Sequence, residues 1–228
     1  TTPLPGSVSY DNIRPMNVPL RFDRKSMIEF LCSVHAHLDE VFWRTECTAG
    51  QVTHKDTPIS AEQLVRSGWR VEHLVPQTTE PDVSNQVKFL YEDDALIAID
   101  KPAPLPMHAS GRFNRNTLSY FVGLVFAGVQ LRILHRLDAN TTGVVLMAKN
   151  KSAAKFVQAQ FLDGSIRKTY VARVSGTPEQ DLFSCDEPIS AEASTAGSRT
   201  IALAGTAASP ATTQFRVLDR LDDGTSLL

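Results

Sequence analysis

His135-Arg136-Leu137-Asp138-Ala139-Asn140-Thr141-Thr142-Gly143, followed at once by Val144-Val145-Leu146-Met147-Ala148-Lys149, places one aspartate between a basic pair and a turn. Asn and Thr favour turns through short polar side chains, and Gly through free access to positive φ. The apolar run behind them is short and partly β-branched, the pattern of a buried strand. The reading is a core strand whose rim carries the Asp138 carboxylate, with the Arg136 guanidinium beside it to hold the charge in place. Asp138 is the first candidate for a reactive centre.

Upstream, Val87, Phe89 and Tyr91 alternate along one strand, Glu92-Asp93-Asp94 turn the chain, and Leu96 to Asp100 return it as a hairpin. The proline-rich run Lys101 to His108 stops that strand. A helix is predicted over about 117–127 with Asn116 as N-cap, and another over 152–162 capped by Ser152 and ended by Gly164. Phe156, Val157, Gln160 and Phe161 are its predicted buried face. Ile166 to Ser175 alternates as a strand, 181–209 is small, polar and irregular, and Thr213 to Leu221 makes a final strand. Hairpins with few helices argue an α+β fold with a mainly antiparallel sheet.

Residues 1–22 contain Pro3, Pro5, Pro15 and Pro19 without periodicity and read as an extended arm. Met27, Phe30, Leu31, Val34, Leu38, Val41 and Phe42 recur at helical spacing, as two helices broken near His37. Strands are expected at Gln51–His54 and Gly68–Val75. The polar stretch 77–86 reads as a linker, which divides the chain into an arm (1–22), a small module (23–76) and a main domain (87–228).

The chain of 228 residues has a net charge of −2, so any nucleic-acid contact must come from local clusters. Three scattered cysteines, Cys32, Cys47 and Cys185, suit a reducing compartment and read as small core residues. The first six residues carry no signal-peptide pattern, and the apolar stretch Leu118 to Val129 is too short to span a membrane. His35 and His37, two apart, do not face one way on a helix, so they read as solvated side chains rather than metal ligands.

Three ordered motifs resemble the RluA-type pseudouridine synthases: Tyr91 to His108 (YEDDALIAIDKPAPLPMH), the HRLDANTTG run and Arg167 to Gly176 (RKTYVARVSG). Residues 23–76, with Ala49-Gly50-Gln51-Val52-Thr53 and Ser67-Gly68-Trp69-Arg70-Val71, resemble an S4-like RNA-binding module. The resemblance implies a pseudouridine synthase domain preceded by an S4-like α/β module, acting on structured tRNA or rRNA. It assigns catalysis to Asp138, filling of the gap left by a flipped base to Arg136, and stacking on that base to Tyr170. His135, Arg167, Lys168, His108, Arg44 and Lys55 are the further expected RNA contacts. Isomerisation needs neither metal nor cofactor, and a monomer inside the cell, without a membrane partner, is expected. Pro104, Ala139 and Trp69 depart from the family's usual glycine, basic residue and aspartate. A segment like the family's TGRTHQIR run is missing before Leu228, so a fragment or an incomplete centre is expected. The alternatives are an RNA-binding protein without catalysis and, more remotely, a hydrolase that releases uracil.

Overall fold

Helical spacing yields two short helices, α1 (Met27–Val34) and α2 (Glu40–Thr48). The computed structural model describes residues 2–191, 199–203 and 206–228. Ser26 and Glu29 close a reciprocal capping box at the start of α1, and the Asp39 carboxylate accepts from the Phe42 N–H at the start of α2. The chain leaves the helix at His35, so the break falls where the spacing predicts it. Met27, Phe30, Leu31, Trp43 and Cys47 pack into one apolar core with Val52, Val65 and Val71.

The expected arm contains a strand instead. Strand β1 (Tyr10–Asn17) lies antiparallel to β4 (Arg70–Thr78), which also pairs with β2 (Val52–His54), and β2 with β3 (Thr57–Pro58). Pro15 hid it from the sequence reading, because a proline cannot donate to a ladder; β1 is an edge strand, where that defect is tolerated. Met16 and Val18 reach the core from this segment. Lys55 and Asp56 make the two-residue loop from β2 to β3, both at positive φ.

The stretch expected to be a linker is a fastening point. Glu80 is 5% exposed, and its carboxylate accepts from the backbone N–H groups of Asn114, Arg115 and Asn116 and from the Tyr10 hydroxyl. Asn116 is therefore no helix cap: it is buried, accepting from Gly6 N–H and donating to Pro81 O, while Thr117 caps the helix that follows. A Cβ on Gly6 would stand 2.7 Å from Glu80 and Asn116 atoms, so only glycine fits there. Burial pushes the Glu80 carboxyl up, but the three N–H groups and Tyr10 outweigh it and hold it below its ordinary value of 4.5. A depressed carboxyl stabilises the fold above its unfolded value and loses that contribution as pH falls through the folded one. Glu80→Gln should therefore lower urea stability at pH 7 by about 2–3 kcal/mol. The variant should also show a smaller further loss below pH 4.5 than the native chain; parallel acid profiles would refute the assignment.

The second core lies under a sheet of order β5-β6-β8-β7, formed by β5 (Lys88–Glu92), β6 (Leu96–Lys101), β7 (Arg132–Ile133) and β8 (Gly143–Ala148). All its pairings are antiparallel, and the predicted hairpin is β5–β6. Ile97, Ile99, Val145 and Met147 point inward to meet Leu118 and Val122 of α3 (Leu118–Val125). Helix α4 (Lys151–Leu162) starts one residue early, with Asn150 rather than Ser152 as its cap. Its buried residues are Ala154 and Val157, whereas Phe156 is 71% exposed, so the predicted face is turned by about one position.

These elements make one compact unit, Thr1–Asp163; a second is Gly164–Leu228. In the second, the strand expected over 166–175 is reduced to β9 (Arg173–Ser175). The irregular stretch 181–209 holds β10 (Leu182–Cys185), β11 (Ile189–Ser190) and β12 (Ala208–Ser209), and its residues 192–198 and 204–205 lie outside the described residues. The single final strand is replaced by β13 (Thr213–Arg216), β14 (Asp219–Arg220) and β15 (Thr225–Leu227), with β15 between β14 and β9. The observed class is α+β with antiparallel sheets. The three thiols are free; Cys47 is buried, Cys32 half-buried, and Cys185 is exposed rather than in a core.

Candidate active site

Leu137 is the anchor of the site. It is 7% exposed and joins the second core, while Arg136 and Asp138 on either side are exposed. Neighbouring side chains of an extended segment point to opposite faces, so burying Leu137 presents the other two outward. The Thr141 N–H donates to the Asp138 carbonyl at 3.0 Å, closing a turn. Gly143 then enters β8 at φ +123°, a conformation open to glycine.

The register of β6 on β8 pairs Lys101 with Gly143, which brings the end of the hairpin beside the aspartate loop. Lys101 is fully buried and donates to the carbonyls of Pro102 at 3.0 Å, Leu105 at 2.9 Å and Ala139 at 3.2 Å. The Leu105 N–H returns a bond to Ala139 O at 2.9 Å, so the proline-rich connection and the aspartate loop are sewn together. Burial pushes the Lys101 ammonium below its ordinary value, and the charge of Asp138 opposes that drop. The ammonium that holds the aspartate loop thus comes from 37 positions upstream of Asp138 in the chain. Arg136, expected to hold the carboxylate, makes no ion pair with Asp138 among the described residues. An exposed pair gains so little in water that nothing holds the long side chain there. Lys101 was missed as a site residue, although the alternation Ile97, Ile99, Lys101 already placed it on the inward face of β6.

Other expected contacts are distributed differently. His135 is half-buried and braces β8 against α4: its Nε2 accepts from the Leu146 N–H at 3.1 Å, and its ring lies 5.2 Å from that of Phe161. That ring therefore has a structural role beside the RNA contact expected of it. Arg44 is held by Glu40 at 2.8 Å and Glu62 at 2.5 Å, so a phosphate would have to displace two carboxylates. Lys55 sits at the exposed tip of the β2–β3 turn, and His108 is exposed in the proline-rich connection. Arg167, Lys168 and Tyr170 belong to the second unit, exposed and ahead of β9.

An exposed carboxylate on a loop riveted to the core is equipped to attack or take a proton from a group brought to it, while the fold keeps its backbone still. Comparisons with known proteins point to the same family as the resemblance. Residues 95–228 match the family described as RNA pseudouridylate synthase. Pseudouridylate synthase RPUSD2 of Homo sapiens is 32% identical over 149 residues, 65% of this chain and 27% of that protein. The mitochondrial tRNA pseudouridine(32) synthase of Saccharomyces cerevisiae is 27% identical over 164 residues, 72% of this chain and 35% of that protein. The chain thus spans about a quarter to a third of the length of these relatives. In fold, it is similar to the solved human RNA pseudouridylate synthase domain containing 1, with a TM-score of 0.52 at 22% identity over 65% of this chain and 59% of that one. With more than half of its length matched to the family, including the segment that carries Asp138, the chain belongs to the RNA pseudouridylate synthases.

Proposed function

We propose that the protein converts uridine to pseudouridine in structured RNA, with Asp138 as the catalytic residue. The observation that carries this reading is an exposed Asp138 carboxylate on a turn pinned by Leu137 and by the buried Lys101 ammonium. In the reaction the bond from uracil N1 to ribose C1′ breaks, the base turns over, and C5 bonds to C1′; C5 gives up its proton and N1 takes one up, so the product is an isomer. Nothing is oxidised and no group is added, so no cofactor is required. A base in a structured RNA must first leave its stack, at a few kcal/mol, and Arg136 would fill the space it vacates. Tyr170 would stack on the extruded base, and Arg167 and Lys168 would meet phosphates. An S4-like role for residues 23–76 is supported by two helices followed by strands, in the order α1, α2, β2, β3, β4. The free thiols are in keeping with an intracellular, reducing compartment. No helix among the described residues is long and apolar enough to cross a membrane.

The yeast relative's name makes tRNA the first substrate to try, ahead of rRNA. Nucleosides from tRNA treated with the protein should contain new pseudouridine. Free uracil would indicate hydrolysis, and bound but unconverted RNA would indicate a binding protein. Tyr170→Phe should slow conversion at least about tenfold with the fold retained; an unchanged rate would make Tyr170 structural.

A further inference from the structure

A groove of about 750 Å³ runs between the N-terminal module and residues 109–114 of the connection that follows the hairpin. Arg14 of β1 and Arg112 of the connection line it, together with Phe42 and Phe113. Both arginines are exposed, and neither makes an ion pair among the described residues. The Arg112 guanidinium lies 5.7 Å from the centroid of the Phe113 ring. The acid in the lining, Glu46, is engaged by His73 Nε2 at 2.7 Å. Two cations and two aromatic rings in one groove, with the local carboxylate occupied, are complementary to a chain of alternating phosphates and bases.

The chain also ties the groove to the aspartate loop. Leu105 is bonded to Ala139 next to Asp138, and seven residues later the same connection supplies Arg112. Seven residues span at most about 25 Å, the reach of a few nucleotides. A volume in the range of small-ligand sites holds roughly one or two nucleotides, not a duplex.

We propose that this groove takes unpaired nucleotides flanking the target uridine, with Arg14 and Arg112 on phosphates and Phe42 and Phe113 against bases. The assignment rests on the RNA reading above and moves the module's RNA contact away from Arg44, which is neutralised by Glu40 and Glu62. It also gives a chain of net charge −2 a local site for RNA, with two exposed arginines on one groove.

The test is binding of a labelled single-stranded oligouridylate of ten nucleotides, and of the same strand annealed to its complement, over a salt series. The native chain should prefer the single strand at least tenfold. Arg14→Glu with Arg112→Glu should weaken it at least tenfold and lower the salt slope by about 1.4, two phosphates at roughly 0.7 each. Lysine at both positions should keep the slope. Photo-crosslinking of 4-thiouridine should mark peptides holding Phe42 or Phe113. Equal affinity for the duplex, an unchanged slope in the double glutamate variant, or crosslinks only elsewhere would overturn the proposal, as would failure of the native chain to bind. Conversion of tRNA, assayed separately, keeps the two readings apart. Pseudouridine formed by a chain whose binding ignores both arginines sinks the groove alone. Binding as described without conversion, by this chain and by one extended through the missing segment, sinks the isomerase reading and leaves the groove standing.

Discussion

Asp138→Asn is expected to cut pseudouridine formation by at least about 10³-fold while leaving RNA affinity within a few-fold. The amide is nearly isosteric but can neither attack as a carboxylate nor accept a proton as a base. Little else in the structure depends on the side chain: the turn uses the Asp138 carbonyl, which is unchanged, and the loop is held by Leu137 and by Ala139. The variant should therefore fold, and its loss should appear in turnover rather than in binding. Nucleoside analysis of tRNA, run beside a binding titration, checks both halves. Substantial turnover in the variant would remove Asp138 from the catalytic role, and loss of RNA binding in step with activity would recast it as a binding residue.

Lys101→Met is expected to destabilise the chain by about 2–4 kcal/mol, since each buried carbonyl left without a donor costs about 1–3 kcal/mol. Methionine matches the length of lysine but takes the Lys101 donor from the carbonyls of Pro102 and Leu105, and leaves Ala139 only the Leu105 N–H. Urea denaturation measures the loss, which is large against a typical total stability of about 5–15 kcal/mol. Lys101 also feels Asp138, so the two substitutions should not be additive. A double-mutant cycle should give a coupling of at least about 0.5 kcal/mol. Zero coupling would mean that Lys101 only ties backbone loops together and exerts no charge on the carboxylate.

Much of the fold was legible locally. Helical spacing gave α1, α2 and the break at His35, and alternation gave the β5–β6 hairpin and β8, because those patterns depend only on which face of a short element is apolar. Elements whose stability comes from distant partners were not legible. Strand β1, with a proline and no periodicity, exists because β4 is there to pair with it. The Glu80 hub joins residues 34 to 70 positions apart, and no window of sequence contains it. The second unit offered weak alternation and broke into strands of two to four residues.

The site divides in the same way. The sequence by itself determined which carboxylate is offered: Leu137 is apolar, its neighbours are polar, and an extended chain must then turn Asp138 outward. It did not determine what stands behind that carboxylate. Adjacency favoured Arg136, yet water screens an exposed pair to almost nothing, whereas the β6–β8 register buries Lys101 beneath the loop, where three carbonyls can hold it. The same limit applies to His135 and Arg44, whose residue types suit RNA but whose partners, Leu146 and two glutamates, are set by packing. Local sequence chooses a side chain's direction, because that follows from backbone geometry; tertiary structure chooses its partners, because burial and distance decide whether a charge or a hydrogen bond has any strength.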